Sequence, residues 1–303
     1  MEYGAHLPLI QLDGSARTLA GLREYAAAAA RLEFEVLCAN DHLLFAMPWL
    51  DGPTALAAVL DAAEGMTLAT TVSLPVIRGP VQAAKTLGAL DVLSGGRLVV
   101  GVGPGSSARD YAAVGLPFET RWQQFEESTQ ALRALLHAES PAFEGELYST
   151  RGIDLQPRSP QRPGPPIWIG SWGSRPGLRR VARLGDGWLA SGYNTTPDAF
   201  RDGLSYLATL KEDPLPNALA TTWLYVTESR ADAARILADV LAPMLNRPLE
   251  DLRSLSLPIG GARNCAERLA AYAEAGVERV FVWPLGDELR QLELFHEQVR
   301  PLV

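Results

Sequence analysis

Short runs rich in Val, Ile, Leu, Trp and Thr alternate with longer stretches in which Ala, Leu and Arg recur at helical spacing, almost from end to end of the chain. The apolar runs predict strands near 3–8, 34–39, 67–73, 97–102, 166–170, 187–191, 219–226 and 278–283. The helical patterns predict helices at about 16–32, 53–64, 80–93, 121–138, 175–184, 197–211, 229–242, 263–275 and 286–299. A strand followed by a helix, repeated in this way, favours a (β/α)8 TIM barrel with insertions, one α/β domain over residues 1–303. Two stretches break the repeat. In 141–165, Phe143-Glu144-Gly145-Glu146-Leu147-Tyr148 reads as a small hairpin inside a Pro/Arg-rich loop, and 243–262 is irregular throughout. Segments of this length in a compact domain usually serve as lids or binding elements.

Composition narrows the partners more than the fold. An apolar fraction of 47% supplies a large core, while no long uncharged apolar run suggests a membrane span. The N-terminal MEYGAHLPLI lacks the basic and apolar regions of a secretory leader, so a cytoplasmic protein is expected. Net charge is −8 and no basic run reaches five residues, which argues against nucleic acid and for a small-molecule substrate. The two cysteines, Cys38 and Cys265, are isolated and form neither a disulfide framework nor a metal motif.

In a (β/α)8 barrel the chemistry sits where the strands end. The first strand ends near His6, the second at Asn40-Asp41-His42, the third at Ser73-Leu74-Pro75 and the fourth at Gly103-Pro104-Gly105-Ser106. The fifth ends at Gly170-Ser171-Trp172-Gly173-Ser174, which leads directly into a helix whose free first-turn amides suit a phosphate. An ordinary tight turn with a Ser cap explains that loop about equally well. The fourth-strand loop lacks the immediate helix of a Rossmann fingerprint, and its glycines serve better for close backbone approach to a flat ligand. Of four histidines, His42 is best placed for proton chemistry, with Asp41 beside it. Trp49, Trp172 and Trp283 fall in mouth loops, where they either stack on a planar ring or pack under a loop. A Schiff-base lysine, a metal cluster and a Gly-x-Ser-x-Gly elbow are all missing from the strand ends, so metal is not expected.

Ser94-Gly95-Gly96-Arg97-Leu98-Val99-Val100-Gly101-Val102-Gly103-Pro104-Gly105, followed by Gly115-Leu116-Pro117-Phe118-Glu119 and Arg121, is similar to the central motif of the bacterial-luciferase-like superfamily. Pro166-Ile167-Trp168-Ile169-Gly170 with Ala182-Arg183-Leu184-Gly185-Asp186-Gly187-Trp188 resembles its second signature. The resemblance implies an oxidoreductase, usually dimeric, that holds FMN or the deazaflavin coenzyme F(420) at the strand C-termini. It also implies a non-prolyl cis peptide in the third-strand bulge, near Ser73-Leu74. Gly103-Pro104-Gly105 and Asp41-His42 with Trp49 resemble the deazaflavin branch, so hydride transfer between coenzyme F(420) and a small organic substrate is the expectation. Pro104 stands where sugar-phosphate dehydrogenases of the group carry Glu, which argues against their substrate. Catalytic roles are then expected for His42 and Asp41. Cofactor contacts are expected from Asp41, Ser73, Gly103, Pro104, Gly105, Ser106, Gly170, Ser171, Trp172, Gly173 and Ser174. The alternatives are an FMN-dependent monooxygenase fed by a separate flavin reductase, and a non-catalytic flavin-binding protein.

Overall fold

The structure is a computed structural model, and it describes residues 1–12, 14 and 16–303. Eight parallel strands close into a barrel: β1 (Glu2–His6), β2 (Val36–Ala39), β3 (Thr67–Thr70), β4 (Leu98–Val102), β5 (Ile167–Gly170), β6 (Gly187–Ser191), β7 (Asn217–Val226) and, after the two-residue β8 (Ile259–Gly260), β9 (Arg279–Pro284). Barrel neighbours follow chain order, β6 pairs with β7, and β9 joins β7 to β1 to complete the ring. β8 lies outside it, paired to the end of β7 through Tyr225↔Ile259 and Val226↔Gly260.

Alternation along each strand divides the core into two shells. One set of residues, including Val36, Cys38, Ala69, Trp168, Leu189, Ala220 and Phe281, fills the barrel interior. A few large side chains occupy space released by glycines: a Cβ on Gly4 would lie 2.5 Å from Phe281 Cδ1, and one on Gly187 would lie 2.5 Å from Trp168. The other set, with Leu7, Leu37, Val100, Ile167 and Val282, packs under the helices.

The helices that shape the mouth are α1 (Leu19–Arg31), α2 (Gly52–Ala58), α3 (Pro75–Arg78), α4 (Pro80–Leu93), α5 (Ala108–Ala113), α6 (Arg121–Leu136), α7 (Arg175–Leu184) and α8 (Pro197–Ala208). Most match the periodicity, and the differences are local. The pattern at 53–64 yields helix only over Gly52–Ala58. After the β4 loop the helix is delayed to α5, which Ser107 caps by accepting from the Asp110 amide. The hairpin expected at 143–148 reduces to a single bridge, Glu144↔Ser149. The stretch 243–262 is more ordered than expected, holding the turns Ala242–Leu245 and Leu249–Arg253 as well as β8.

These turns have an architectural use. Ile236, Leu241, Met244, Leu252 and Leu257 bury against Ile10, Trp223, Trp283 and Leu285, which caps the barrel over β1, β7 and β9. The mouth above β2 to β6 is left as a cleft. Among the described residues no helix is long and apolar enough to cross a membrane, and no group of His, Cys, Asp and Glu is arranged to hold a metal.

Candidate functional site

The cleft has a volume of about 440 Å³ and is lined from the ends of β2 to β7. Its walls are largely apolar, with Val72, Leu74, Ile169, Leu189, Ala220 and Phe118 prominent. Polar groups gather at two ends, one at Asp41 and His42 and the other at Ser171, Ser174 and Arg180. An apolar slot with a few convergent polar groups is what a planar aromatic ligand with a charged tail requires.

Val72 forms part of the floor, reached through a non-prolyl cis peptide at Thr71–Val72. This corrects the expected position at Ser73-Leu74; β3 ends at Thr70, so the bulge begins immediately after it. Gly103 and Gly170 leave room for the Val72 side chain: added Cβ atoms would lie 2.7 Å from its Cγ2 and 3.0 Å from its Cγ1. Gly105, at φ +79°, turns the loop, and the Tyr111 hydroxyl pins it by donating to the Pro104 carbonyl at 2.6 Å. Gly103, Pro104, Gly105 and Ser106 all line the cleft. Ser73 does not: its amide donates to the Gly101 carbonyl within the sheet.

At the β2 end the two neighbouring residues have different surroundings. Asp41 is 4% exposed, and both its oxygens sit in the guanidinium fork of Arg78, at 2.6 and 2.7 Å. Arg78 also pairs with Asp51, the residue that caps α2. Burial alone would raise the Asp51 carboxyl, but hydrogen bonds from Arg78 and Thr54 hold it below its ordinary value. Asp41 is therefore a fully engaged carboxylate that ties β2 to α3.

His42 stands on the other side of the strand end. Its Nδ1 lies 3.3 Å from Asp110 Oδ2, while Asp110 Oδ1 accepts from the Leu44 amide at 2.9 Å. Burial pushes the Asp110 carboxyl up, but hydrogen bonds from His42 and the Leu44 and Leu43 amides outweigh it and leave the group below the usual carboxylate range. An ionised Asp110 favours the proton on Nδ1, so Nε2 is the lone-pair nitrogen of the neutral ring. Phe45 and Trp49 brace the imidazole, with ring centroids 5.1 and 4.7 Å away. The sequence reading missed Asp110. Its place three residues after Ser107 marks it as a first-turn helix acid, and nothing local shows that the carboxylate turns across to β2.

At the β5 end, Ser174 caps α7 by accepting from the Gly177 amide. Gly173 takes φ +93° and donates its amide to Ser171 Oγ, which folds the loop back on itself outside the cleft lining. Gly170, Ser171, Trp172 and Ser174 do line the cleft, and Trp172 is 57% exposed at its rim. Two cations also line it: Arg121, which belongs to the central motif of the resemblance, and Arg180, which the sequence does not single out. Arg180 lies over the Trp122 ring at 4.3 Å and donates to Glu126 at 2.7 Å; Arg121 lies over Phe118 at 4.1 Å.

The remaining histidines stay out of the cleft. His6 is fully buried and stacked on Trp283 at 3.3 Å, itself stacked on Trp223, so two mouth residues of the sequence belong to the cap. Burial lowers His6 to about 3. The His137 ring hydrogen-bonds the Pro165 carbonyl.

Comparison with known proteins bears on the family and the fold. A profile described as luciferase-like monooxygenase matches residues 3–247. An uncharacterised protein of Mycobacterium tuberculosis is 32% identical over 186 residues, a match that spans 57% of this chain but only 66% of that protein. An F420-dependent glucose-6-phosphate dehydrogenase of Nakamurella multipartita is 30% identical over 318 residues, covering 92% of this chain and 91% of its own. Among solved structures, the monooxygenase RslO1 of Streptomyces bottropensis superposes with a TM-score of 0.82 at 20% identity, covering 99% of both chains; this likeness is one of fold.

Proposed function

The chain belongs to the luciferase-like monooxygenase family, and from that premise we propose that it is an oxidoreductase that binds coenzyme F(420) and moves a hydride to or from a small organic substrate. The observation that carries this reading is a cleft with His42, backed by Asp110, at one end, an apolar floor between, and the Ser174-capped helix with Arg180 at the other. The residues fit the cofactor. Val72, Ile169 and Leu189 offer flat apolar contact to a ring, and Ser171, Ser174 and Arg180 offer hydroxyls and a cation to a phosphate. When bound, the deazaflavin supplies the hydride chemistry that no side chain here can perform.

The protein's own contribution is positional and acid–base. An alcohol that becomes a carbonyl gives up a hydride and a proton, and His42 Nε2 is the group placed to take the proton. Asp110 holds the ring in the required tautomer and stabilises the imidazolium that results. Asp41 keeps the β2 end in register with α3 through Arg78. Phe118, Phe125 and Leu74 keep the reacting region apolar. The relative with the longer match is F420-dependent, which favours the deazaflavin. A second reading is an FMN-dependent monooxygenase, supported by the family profile and by the fold of RslO1. Separate binding titrations with coenzyme F(420) and FMN decide between them.

A further inference from the structure

Asn40 follows the last residue of β2 and lines the cleft beside Asp41 and His42. Its carboxamide is divided between two tasks. The main-chain ladder from β3 to β2 ends with the Thr71 amide on the Ala39 carbonyl, at 2.8 Å. Beyond it the Asn40 side chain takes over: Oδ1 accepts from the Asp41 amide at 2.7 Å and from the Val72 amide at 3.3 Å. Two N–H donors on one atom fix which way the carboxamide faces, because Nδ2 in that place would set donor against donor. The main chain is held as well, since a Cβ on Gly52 would overlap the Asn40 carbonyl oxygen. Nδ2 is the free end of this anchored group. Among the described residues no acceptor takes its two hydrogens, and it is not sealed within the wall, so they are offered to the cleft.

The two polar groups at this end of the cleft have opposite chemistry. His42 Nε2 is a lone pair that takes a proton, whereas Asn40 Nδ2 is a neutral pair of donors that accepts nothing. An oxygen that turns its proton to His42 and a lone pair to Asn40 satisfies both. An ammonium has only donors; it satisfies His42 and meets Asn40 donor to donor. Neighbouring carboxylates do not reverse this preference, because Asp41 is held by Arg78, and Asp110 by His42 and the Leu44 amide.

We propose that Asn40 Nδ2 donates to the oxygen on the reacting carbon of the substrate, and that it makes the site select an alcohol or ketone over the corresponding amine or imine. The inference rests on the oxidoreductase reading above and narrows its substrate class. As an alcohol loses its proton to His42 and its hydride to the coenzyme, the oxygen becomes a carbonyl and keeps the same donor. In the reverse direction that donor polarises the carbonyl. A site built to hydrogen-bond one polar group discriminates strongly against an analogue that leaves the partner unpaired.

The test compares the wild type with Asn40→Asp, which keeps an oxygen for both accepted bonds and replaces the cleft-facing donor by an acceptor. Both full chains, loaded with oxidised coenzyme F(420) so that no hydride reaches a ketone, are titrated with cyclohexanone and with cyclohexylamine. The amine is protonated at about pH 7, and ligand NMR reads the binding. The wild type is expected to bind the ketone at least about tenfold tighter than the ammonium, and N40D to move that ratio about a hundredfold toward the ammonium. Coenzyme affinity should stay within a factor of about two. A purely structural role predicts an unchanged ratio in N40D, and that result overturns the proposal. So does the absence of cyclohexanone binding to the wild-type complex, or a loss of coenzyme affinity with the ratio intact, which would assign Nδ2 to the cofactor. If N40D lowers the denaturation midpoint, Asn40→Ser replaces it and is expected to weaken the ketone about tenfold with the ammonium unaffected; equal binding of the ketone by that variant overturns the proposal. A wild type that binds no coenzyme F(420) fails the cofactor reading, and the proposal with it, before either probe is added.

Discussion

Asp110 and His42 lie 68 residues apart in sequence, yet the carboxylate of the first sits 3.3 Å from Nδ1 of the second at the edge of the cleft. The pair joins the ends of β2 and β4, and on the proposed function its far nitrogen, Nε2, takes the substrate proton. Removing the imidazole should therefore separate chemistry from binding. His42→Ala is expected to lower kcat by about a hundredfold while cofactor affinity stays within a factor of about two. Unchanged turnover, read by the change in cofactor absorbance, would remove His42 from the mechanism.

Asp110→Asn tests the positioning role. Asp110 is held below the ordinary range by His42 and two amides, so its carboxylate stays ionised throughout the working pH range. Its contribution to stability is complete above the unfolded carboxyl value of about 3.9 and is lost as pH falls through the lowered folded value. The variant should cut kcat by about tenfold and move the acid limb of the pH–rate profile. A merely structural residue would change stability and leave that limb in place.

Asp41 and Arg78 predict a different phenotype. Asp41→Asn leaves the Arg78 fork facing a weaker acceptor inside the wall and is expected to destabilise the fold by about 3 kcal/mol in denaturant titrations. Cofactor affinity should fall with it, because the Leu74 loop shares the same carboxylate. If Asp41→Asn kept full stability and lost only turnover, a direct catalytic role would replace the positioning one.

His6 makes stability pH-dependent from inside the cap. Its folded value is lowered to about 3 by burial, against about 6.5 when unfolded. Between those limits the unfolded chain binds more protons, so stability rises with pH, by up to about 1.4 kcal/mol per unit. Between pH 6.5 and pH 5 the native state should thus lose about 1.6 kcal/mol from this one group. His6→Phe should flatten that part of the profile, and a slope unaltered by the substitution would show that His6 is not its source.

The barrel was legible because its signal is periodic. β and α patterns of different period placed all eight barrel strands, and the glycine-rich runs marked the ends of β4 and β5. What escaped depends on contacts between distant segments. Arg78 falls between the expected third strand and the helix at 80–93 with no motif to mark it, yet it pairs with Asp41 and Asp51. Arg180 reads as one of several arginines on an amphipathic helix, and only the closure of the barrel brings its face to the cleft. Likewise His6 ends β1 as a mouth residue should, but the cap formed by Met244, Leu252 and Leu257 closes the mouth above that strand. Local pattern reports which face a residue takes; the insertions decide which part of the mouth remains open.

The central claim is that this cleft is built for coenzyme F(420), and the most direct measurement is a pair of equilibrium titrations of the purified chain, one with the deazaflavin and one with FMN. Coenzyme F(420) should bind at micromolar concentration or below, and FMN at least about tenfold more weakly. Micromolar binding of FMN together with no binding of coenzyme F(420) would contradict the account and turn the same cleft, with its His42–Asp110 pair, over to oxygen chemistry.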